Sequence, residues 1–362
     1  MRAVSLFCGC GGMDLGLSRA GFDIVWAGDA SRAAAAVYAL NVGPVHVGDI
    51  RDADPAGLPE ADLLAAGFPC QTFSEAGRRE GDADPKGGLY REALRMTRAL
   101  RPRCVLFENV RGILSTRMTD GRLASEAVRE DLEAEGYAVH VAVLNAADFR
   151  VPQMRIRVFF FGFRDGMPER FPGMAFRPAP RDGLALGDIL PLPPDAPDHE
   201  YPRLTPAEAR IVPLLPEGGN WKDIPDAMLP PRYRRMKGNR LWEKSATIFR
   251  RRSRREIAGT IIAQPSPTRC SIVHPVEDRL FSIRECARIQ GFPDSFRFPR
   301  EAAGLRARYR MIGNAVPPPL AEHIGRVIAE ALGRPVRERF PPPRGRASAP
   351  PLHGLIMGRA RQ

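Results

Sequence analysis

Short apolar runs alternate with helical stretches from Val4 to about Arg164. The runs predict β-strands, because they are short, rich in branched and aromatic residues and bounded by turn formers; they read VSLF, DIVWAG, DLLAAGF, CVLFENV and RVFFFGF. The stretches between them predict helices; they read SRAAAAVYALN, LYREALRMTRAL and LASEAVREDLEAEG. Such an alternation is typical of a parallel sheet covered by helices. We therefore predict an α/β fold.

The chain is predicted to divide into four regions. Residues 1–165 form the α/β domain. Residues 166–272 are rich in proline, weakly periodic and locally basic, which predicts a smaller, irregular inserted domain. In residues 273–335 helical patterns return, in SIRECARIQGF and PPLAEHIGRVIAEAL, so the chain is expected to re-enter the first domain. Residues 336–362 combine frequent proline with low periodicity and are predicted to be a disordered tail.

The composition favours a polyanionic partner. The net charge is +12, from 54 basic and 42 acidic residues. Only four basic residues are lysine, a bias that a GC-rich genome would produce by itself, so the placement of the arginines is more informative than their number. No apolar run approaches the roughly 18 residues that span a bilayer, and the N-terminus lacks the apolar core of a secretory signal. We expect a cytosolic protein without a membrane partner.

Cysteine spacing excludes the usual structural uses of this residue. The six cysteines show no CxxC pair and no histidines at zinc-finger distance, so neither a metal site nor a disulfide framework is predicted and all are expected to be reduced. Cys70 is unusual because it follows Pro69 where an apolar run ends, in GFPCQTFS. A structural cysteine usually lies within its apolar run. Taken alone, however, Pro69 and Cys70 would also fit an ordinary turn after a strand.

A glycine-rich turn follows the first predicted strand. VSLF leads directly into CGCGGMDLGL, which places Gly9, Gly11 and Gly12 between a strand and a helix. Glycine allows a ligand to approach the backbone there. Asp29 ends the second predicted strand, where a carboxylate can bind a ribose diol, and Asp49 ends the third. Nicotinamide enzymes use the same arrangement, and the glycines could equally form only a tight turn.

An ordered series of short motifs then narrows the alternatives. FCGCGG, PCQ, ENV, QMRIR and GNAVP occur in this order along the chain. In content and spacing the series resembles the cytosine-C5 DNA methyltransferase family of bacterial restriction-modification systems. The resemblance covers both ends of the ordered chain but not residues 166–272, where the family's target-recognition domain varies. It implies a Rossmann-like sheet that binds S-adenosylmethionine, with a target-recognition domain inserted before the C-terminal return.

The resemblance also implies a mechanism and its residues. Cys70 would add to C6 of a flipped-out cytosine, Glu108 would stabilise the adduct at N3, and Arg155 and Arg157, alternating on one face of a strand, would hold the base, Glu108 and nearby phosphates. The residues that would line the donor pocket are Phe7, Gly9, Gly11, Gly12, Asp29, Asp49, Ile50, Phe68, Leu89, Asn314 and Val316. Gln71, Ser74 and Asn109 would contact the substrate. No metal is implied.

Two residues depart from the family pattern. Ser5 stands where many members carry aspartate, and Ala30 stands where some carry an aromatic side chain that stacks on adenine. These departures bear on the affinity for the donor rather than on the chemistry.

Double-stranded DNA is the expected partner of a monomeric enzyme, with a cognate restriction endonuclease in the same organism as a candidate second partner. The alternatives are a transfer-RNA methyltransferase of the same fold, a DNA-binding protein that has lost catalysis, and a nicotinamide dehydrogenase. The transfer-RNA branch typically carries Pro-Pro-Cys, whereas this chain has Phe68-Pro69-Cys70. Intact PCQ, ENV and QMRIR motifs argue against lost catalysis.

The stretch 232–255 is the strongest candidate for contact with DNA. It contains eleven basic residues and one acid, with Trp242 and Phe249 interleaved. Unpaired buried charges are costly, so these arginines are expected to face solvent or a partner. We predict that Arg250, Arg251 and Arg252 contact DNA, most arginines of the stretch binding phosphates and a minority reading guanine.

Overall fold

A computed structural model of the chain describes most of the predicted α/β domain and much of the inserted region. The described residues are 1–69, 88–169, 171, 176, 178–193, 195–237, 249–262 and 272–334. The predicted tail, residues 336–362, lies outside them, as do Cys70, Gln71, Ser74 and Trp242.

A seven-stranded sheet, in the order β3-β2-β1-β4-β5-β8-β6, forms the centre of the fold. Its strands are β1 (Arg2–Leu6), β2 (Asp23–Asp29), β3 (His46–Val47), β4 (Leu63–Ala66), β5 (Cys104–Val110), β6 (Ala138–Asn145) and β8 (Ile156–Phe163). Strands β1 to β5 pair in parallel, whereas β8 runs antiparallel to β5 and to β6. The α/β prediction is confirmed. The antiparallel strand departs from an all-parallel sheet because the segment between β6 and β8 is too short for a crossover helix.

Helices cover both faces of the sheet, because its central strands are apolar on both sides. In β4, Leu63 and Ala65 enter one core cluster, and Leu64 and Ala66 enter the cluster on the opposite face. The helices of this domain are α1 (Gly12–Arg19), α2 (Arg32–Asn41), α3 (Leu89–Leu100) and α4 (Ala124–Ala134). No helix within the described ranges is long and apolar enough to cross a membrane.

The chain returns to this domain near its end. After α8 (Ile283–Ile289) and α9 (Leu305–Asn314), helix α10 (Pro318–Ala331) packs on α1. The contact depends on Gly16, because a Cβ there would lie 2.5 Å from both the Ala321 Cβ and the Pro318 carbonyl oxygen. Close approach of α10 to α1 brings the preceding GNAVP motif next to the glycine turn that follows β1.

The region between β8 and α8 has few regular elements, and its apolar residues share one core cluster with the rest of the chain. Its short elements are α5 (Leu186–Ile189), α6 (Pro206–Ile211), α7 (Pro231–Met236) and β9 (Ala258–Gly259). A two-residue strand, β7 (Gln153–Met154), pairs in parallel with β9 and so joins the inserted region to the first domain. The buried Trp221 lies in one core cluster with residues from α8 and α9. The domain boundaries predicted from the sequence remain predictions.

A buried carboxyl group links β1, α1 and α2. Asp14 accepts hydrogen bonds from the Ser5 hydroxyl at 2.7 Å and the Tyr38 hydroxyl at 2.8 Å. Burial raises the pKa of Asp14 to about 6, against an ordinary value of 3.8. Ser5, one of the two departures from the family pattern, therefore binds Asp14 in the interior.

Asp14→Asn is expected to change how stability depends on pH. Because the pKa of Asp14 is higher in the folded state than in the unfolded state, the folded protein binds the proton more tightly. The stability that Asp14 contributes is therefore present below pH 4 and is lost as the pH rises through 6. Relative to Asp14→Asn, the wild-type protein should lose about 3 kcal/mol of unfolding free energy over that range, measured by urea denaturation at a series of pH values. The exposed Asp23→Asn serves as control. A difference between wild type and Asp14→Asn that does not vary with pH would contradict this assignment.

Candidate active site

A cavity of about 610 Å³ opens at the carboxyl ends of strands β1 to β5, the edge at which α/β sheets bind their ligands. Ten of the eleven residues predicted to bind the donor line it: Phe7, Gly9, Gly12, Asp29, Asp49, Ile50, Phe68, Leu89, Asn314 and Val316. Glu108 and Arg157 line the same cavity. The fold thus brings together residues that are more than 300 positions apart in sequence.

Gly11 is the exception among the predicted donor residues. It does not line the cavity but precedes helix α1, with φ +93°. A Cβ at this position would lie 2.6 Å from a Val42 methyl carbon and 3.0 Å from the Tyr38 ring. Gly11 therefore shapes the turn and permits α2 to pack against it. Gly9, by contrast, has φ +57° and faces open space.

Two carboxylates stand on the cavity wall with different partners. Asp29 accepts hydrogen bonds from the backbone N–H groups of Gly9, at 2.9 Å, and Ser31, at 2.7 Å. Asp49 is paired with Arg51, whose guanidinium and backbone N–H hold the pKa of that carboxyl at about 2. Asp49 is therefore ionised at neutral pH, and a carboxylate retains further acceptor sites for a ligand.

Glu108 and Arg157 form a nearly buried ion pair at the sheet edge. The Arg157 Nε lies 3.1 Å from the Glu108 Oε1, and their side chains are 11% and 10% exposed. Burial raises the pKa of Glu108, against the opposing effects of Arg157 and Arg155. A Cβ at Gly67 would lie 3.6 Å from the Glu108 Oε2, so the chain approaches Glu108 just before Pro69, which also lines the cavity. Cys70 follows Pro69 and lies outside the described residues.

Arg155 has a different environment from Arg157. The sequence places both on one strand face, but β8 begins at Ile156, after Arg155. Arg155 is buried, does not line the cavity, and donates to the carbonyl oxygens of Gly313 at 2.8 Å, Ala315 at 3.1 Å and Ile261 at 3.3 Å. In this structure Arg155 is therefore not placed to contact a cytosine in the cavity. Its hydrogen bonds instead hold the segment that contains Asn314.

Asn109 also bonds to backbone rather than facing the cavity. It is buried, its Nδ2 donates to the Phe68 carbonyl oxygen at 3.2 Å, and its Oδ1 accepts from the Val110 N–H at 2.8 Å. The predicted substrate residue Asn109 thus fixes the segment that leads into Cys70. The other two predicted substrate residues, Gln71 and Ser74, lie outside the described residues.

The arginine cluster at 250–252 requires a correction. Arg251 is only 4% exposed and pairs with Asp278, so the expectation that it faces solvent or DNA is wrong. Its guanidinium also donates to the carbonyl oxygens of Val212, Leu215, His274 and Glu277, at 2.8 to 3.0 Å. These carbonyl acceptors, which come from several loops, offset the cost of burying the charge. Arg250 and Arg252 both contact Glu256, at 2.7 and 3.5 Å, so part of the charge of this cluster is neutralised within the chain.

Arg251→Ala is expected to destabilise the protein rather than to weaken DNA contacts directly. Several buried carbonyl groups would lose their donor, so we expect a loss of at least about 3 kcal/mol of unfolding free energy, measured by urea denaturation. The exposed Arg255→Ala is the matched control and should stay within about 0.5 kcal/mol of wild type. If Arg251→Ala keeps wild-type stability but loses DNA affinity, the original assignment of Arg251 to the DNA surface was right.

Sequence reasoning missed two aromatic residues in the cavity. Trp26 and His46 line it and lie in contact with each other, with ring centroids 5.9 Å apart and an interplanar angle of 26°. The available signal was the alternation along β2, which places Trp26 on the same face as Gly28. Within the part of the chain that the structure describes, no group of three or more His, Cys, Asp or Glu side chains could hold a metal ion. The described cysteines are free thiols: Cys8, Cys10, Cys104 and Cys286.

The fold of this chain is shared with solved structures of methyltransferases. Similar folds occur in solved structures of a prophage-encoded DNA modification methyltransferase of E. coli and of the Dnmt2 methyltransferase of S. pombe. Each has a TM-score of 0.65 and covers 92% of this chain and 99% of its own, at 23% and 20% identity.

Sequence comparison gives the family. The profile of the C-5 cytosine-specific DNA methylases matches residues 1–330. The Type II methyltransferase M.NgoFVII of Neisseria gonorrhoeae is 36% identical over 88% of this chain and 83% of its own length. The Type II methyltransferase M.FnuDI of Fusobacterium nucleatum is 33% identical over 92% of this chain and 95% of its own length. The chain belongs to the C-5 cytosine-specific DNA methylases, of the restriction-modification type, and the resemblance stated from its motifs is confirmed.

Proposed function

We propose that this DNA methyltransferase modifies carbon 5 of a flipped-out cytosine within a specific double-stranded sequence, through a covalent adduct between Cys70 and C6, with S-adenosylmethionine as donor. The observation that carries the proposal is the common cavity. The Glu108–Arg157 pair and Pro69, the neighbour of Cys70, share that cavity with Asp29 and Asp49. One site could therefore hold both the reacting base and the donor.

The residues of the cavity fit S-adenosylmethionine. Gly9 leaves open space beside the backbone, and Asp29 stands where a ribose diol could donate to it. Phe7, Ile50 and Phe68 provide apolar wall for the uncharged parts of such a ligand. When bound, the donor supplies an electrophilic methyl group.

The chain's own residues would activate the cytosine. The thiolate of Cys70 forms a bond to C6, and the electron pair of the C5–C6 double bond moves toward C5 and N3. Glu108 donates a proton at N3, for which a carboxyl with a raised pKa is suited, and Arg157 holds that carboxyl in place. C5 takes the methyl group, and S-adenosylhomocysteine is the leaving group. A base then removes the C5 proton, the electron pair of that C–H bond re-forms the C5–C6 double bond, the Cys70 thiolate leaves, and the N3 proton returns to Glu108.

Base flipping follows from the depth of Glu108. This residue is buried at the end of β5, and N3 of a cytosine that is stacked and paired in the duplex could not reach it. The base must leave the duplex to enter the cavity. The inserted region, joined to the first domain by β7 and β9, is the expected source of sequence recognition.

Sequencing of modified DNA tests this proposal. Unmethylated genomic DNA, incubated with the pure protein and S-adenosylmethionine, should acquire 5-methylcytosine at one cytosine of one short recurring sequence, read by bisulfite or nanopore sequencing. Transfer-RNA transcripts treated in parallel should remain unmodified. If transfer RNA gained 5-methylcytosine and DNA did not, the proposed substrate would be wrong. If DNA gained 5-methylcytosine without any sequence preference, the proposed specificity would be wrong.

A further inference from the structure

The wall of the cavity at β2 and β3 carries an aromatic pair that the family motifs do not contain. Trp26 on β2 and His46 on β3 are stacked, and both face the cavity beside Asp29 and Asp49. Resting on the proposed use of S-adenosylmethionine, we propose that Trp26, supported by His46, is the stacking surface for the adenine ring of the donor. Trp26 would thereby replace the aromatic side chain that is missing at Ala30.

Gly28 determines where the indole ring lies. A Cβ at Gly28 would meet the distal ring atom Cη2 of Trp26 at 2.3 Å, so the ring extends along β2 and over this glycine. Any larger residue at this position would displace the ring. Gly28 lies two residues before Ala30, so the ring of Trp26 covers strand surface close to the missing aromatic.

His46 fixes the ring from the neighbouring strand. Gly28 and His46 are paired in the parallel register of β2 and β3, which places the imidazole next to the indole. His46 in turn lies over Gly48, where a Cβ would be 3.0 Å from its Nε2. The aromatic pair thus rests on two glycines.

The surroundings fit a purine with an exocyclic amine. A purine offers a flat, weakly polar face that stacks on aromatic rings, and its amine donates hydrogen bonds at the edge. Asp49 lies on the same wall, is ionised, and can accept from such an amine. Ile50 completes the apolar surroundings.

Calorimetric titration with S-adenosylhomocysteine, which carries the same adenosine, tests the assignment without turnover. Trp26→Ala should raise its Kd about tenfold or more, and Trp26→Phe should stay within about threefold of wild type, because it retains a ring. Gly28→Ala should also weaken binding by displacing the indole. Val47→Ala, an exposed change on β3 outside the cavity, should leave the Kd unchanged.

Fluorescence and kinetics give independent readouts. Quenching of tryptophan emission by S-adenosylhomocysteine should be strong in the wild type and largely lost in Trp26→Phe despite retained binding. At saturating donor, the Trp26 variants should keep kcat within about threefold while the KM for the donor rises with the Kd. Should Trp26→Ala fail to fold, Trp26→Leu compared with Trp26→Phe separates loss of the ring from loss of volume.

The outcomes distinguish this inference from the proposed function. Wild-type binding together with an unchanged Kd in Trp26→Ala or Trp26→Leu would overturn the role of Trp26 and leave the proposed function standing. If the wild-type protein itself binds no S-adenosylhomocysteine, the proposed donor is wrong and the inference falls with it.

Discussion

Cys70→Ala protein is expected to bind DNA normally but to transfer no methyl groups. In the proposed mechanism the thiolate forms the bond that breaks the aromaticity of cytosine, and alanine offers no substitute, so transfer of labelled methyl groups should fall by at least about 10⁴-fold. DNA affinity should change little, because the thiol adds little ground-state binding. Cys104→Ala, a change in the core of β5, is the matched control and should remain active. Turnover near the wild-type rate would remove Cys70 from the mechanism.

Glu108→Gln is expected to slow methyl transfer by roughly two to four powers of ten, the usual contribution of a positioned acid. Glutamine has nearly the same shape but cannot donate a proton to N3. Burial raises the pKa of Glu108, so wild-type activity that needs the protonated carboxyl should fall as the pH rises through that raised pKa. This part of the pH dependence should disappear in Glu108→Gln, measured as single-turnover rates over a pH series.

The control for this change is Glu60→Gln at an exposed carboxylate. It should leave both the rate and its pH dependence unchanged. If Glu108→Gln instead keeps a rate within a factor of two of wild type, Glu108 is not the proton donor and the Glu108–Arg157 pair has a structural role.

The central strands could be predicted from sequence because they are buried on both faces. Such strands read as continuous apolar runs, as LLAA of β4 does. Strand β6 was not predicted because it lies at the edge of the sheet and is only partly buried; Val143, for example, is 51% exposed. The antiparallel direction of β8 was equally hidden, because it depends on a short connection rather than on composition.

The positions of site residues could be predicted where a motif fixes the local backbone. They could be predicted less well where tertiary contacts determine the surroundings of a side chain. Gly9 and Asp29 meet because the turn after β1 and the end of β2 are neighbours in a parallel sheet. No local pattern reveals that Arg251 is surrounded by carbonyl groups from distant loops. Likewise, the distance from Arg155 to Ala315 depends on where α10 packs.

Trapping with 5-fluorocytosine tests the covalent mechanism most directly. DNA with this base at the target should hold the protein, because the last step of the proposed mechanism removes a proton from C5 and fluorine cannot leave as one. We predict a protein–DNA band that resists denaturing electrophoresis, requires S-adenosylmethionine and is absent with Cys70→Ala. Normal methyl transfer to unsubstituted DNA without such a band would contradict the adduct at C6.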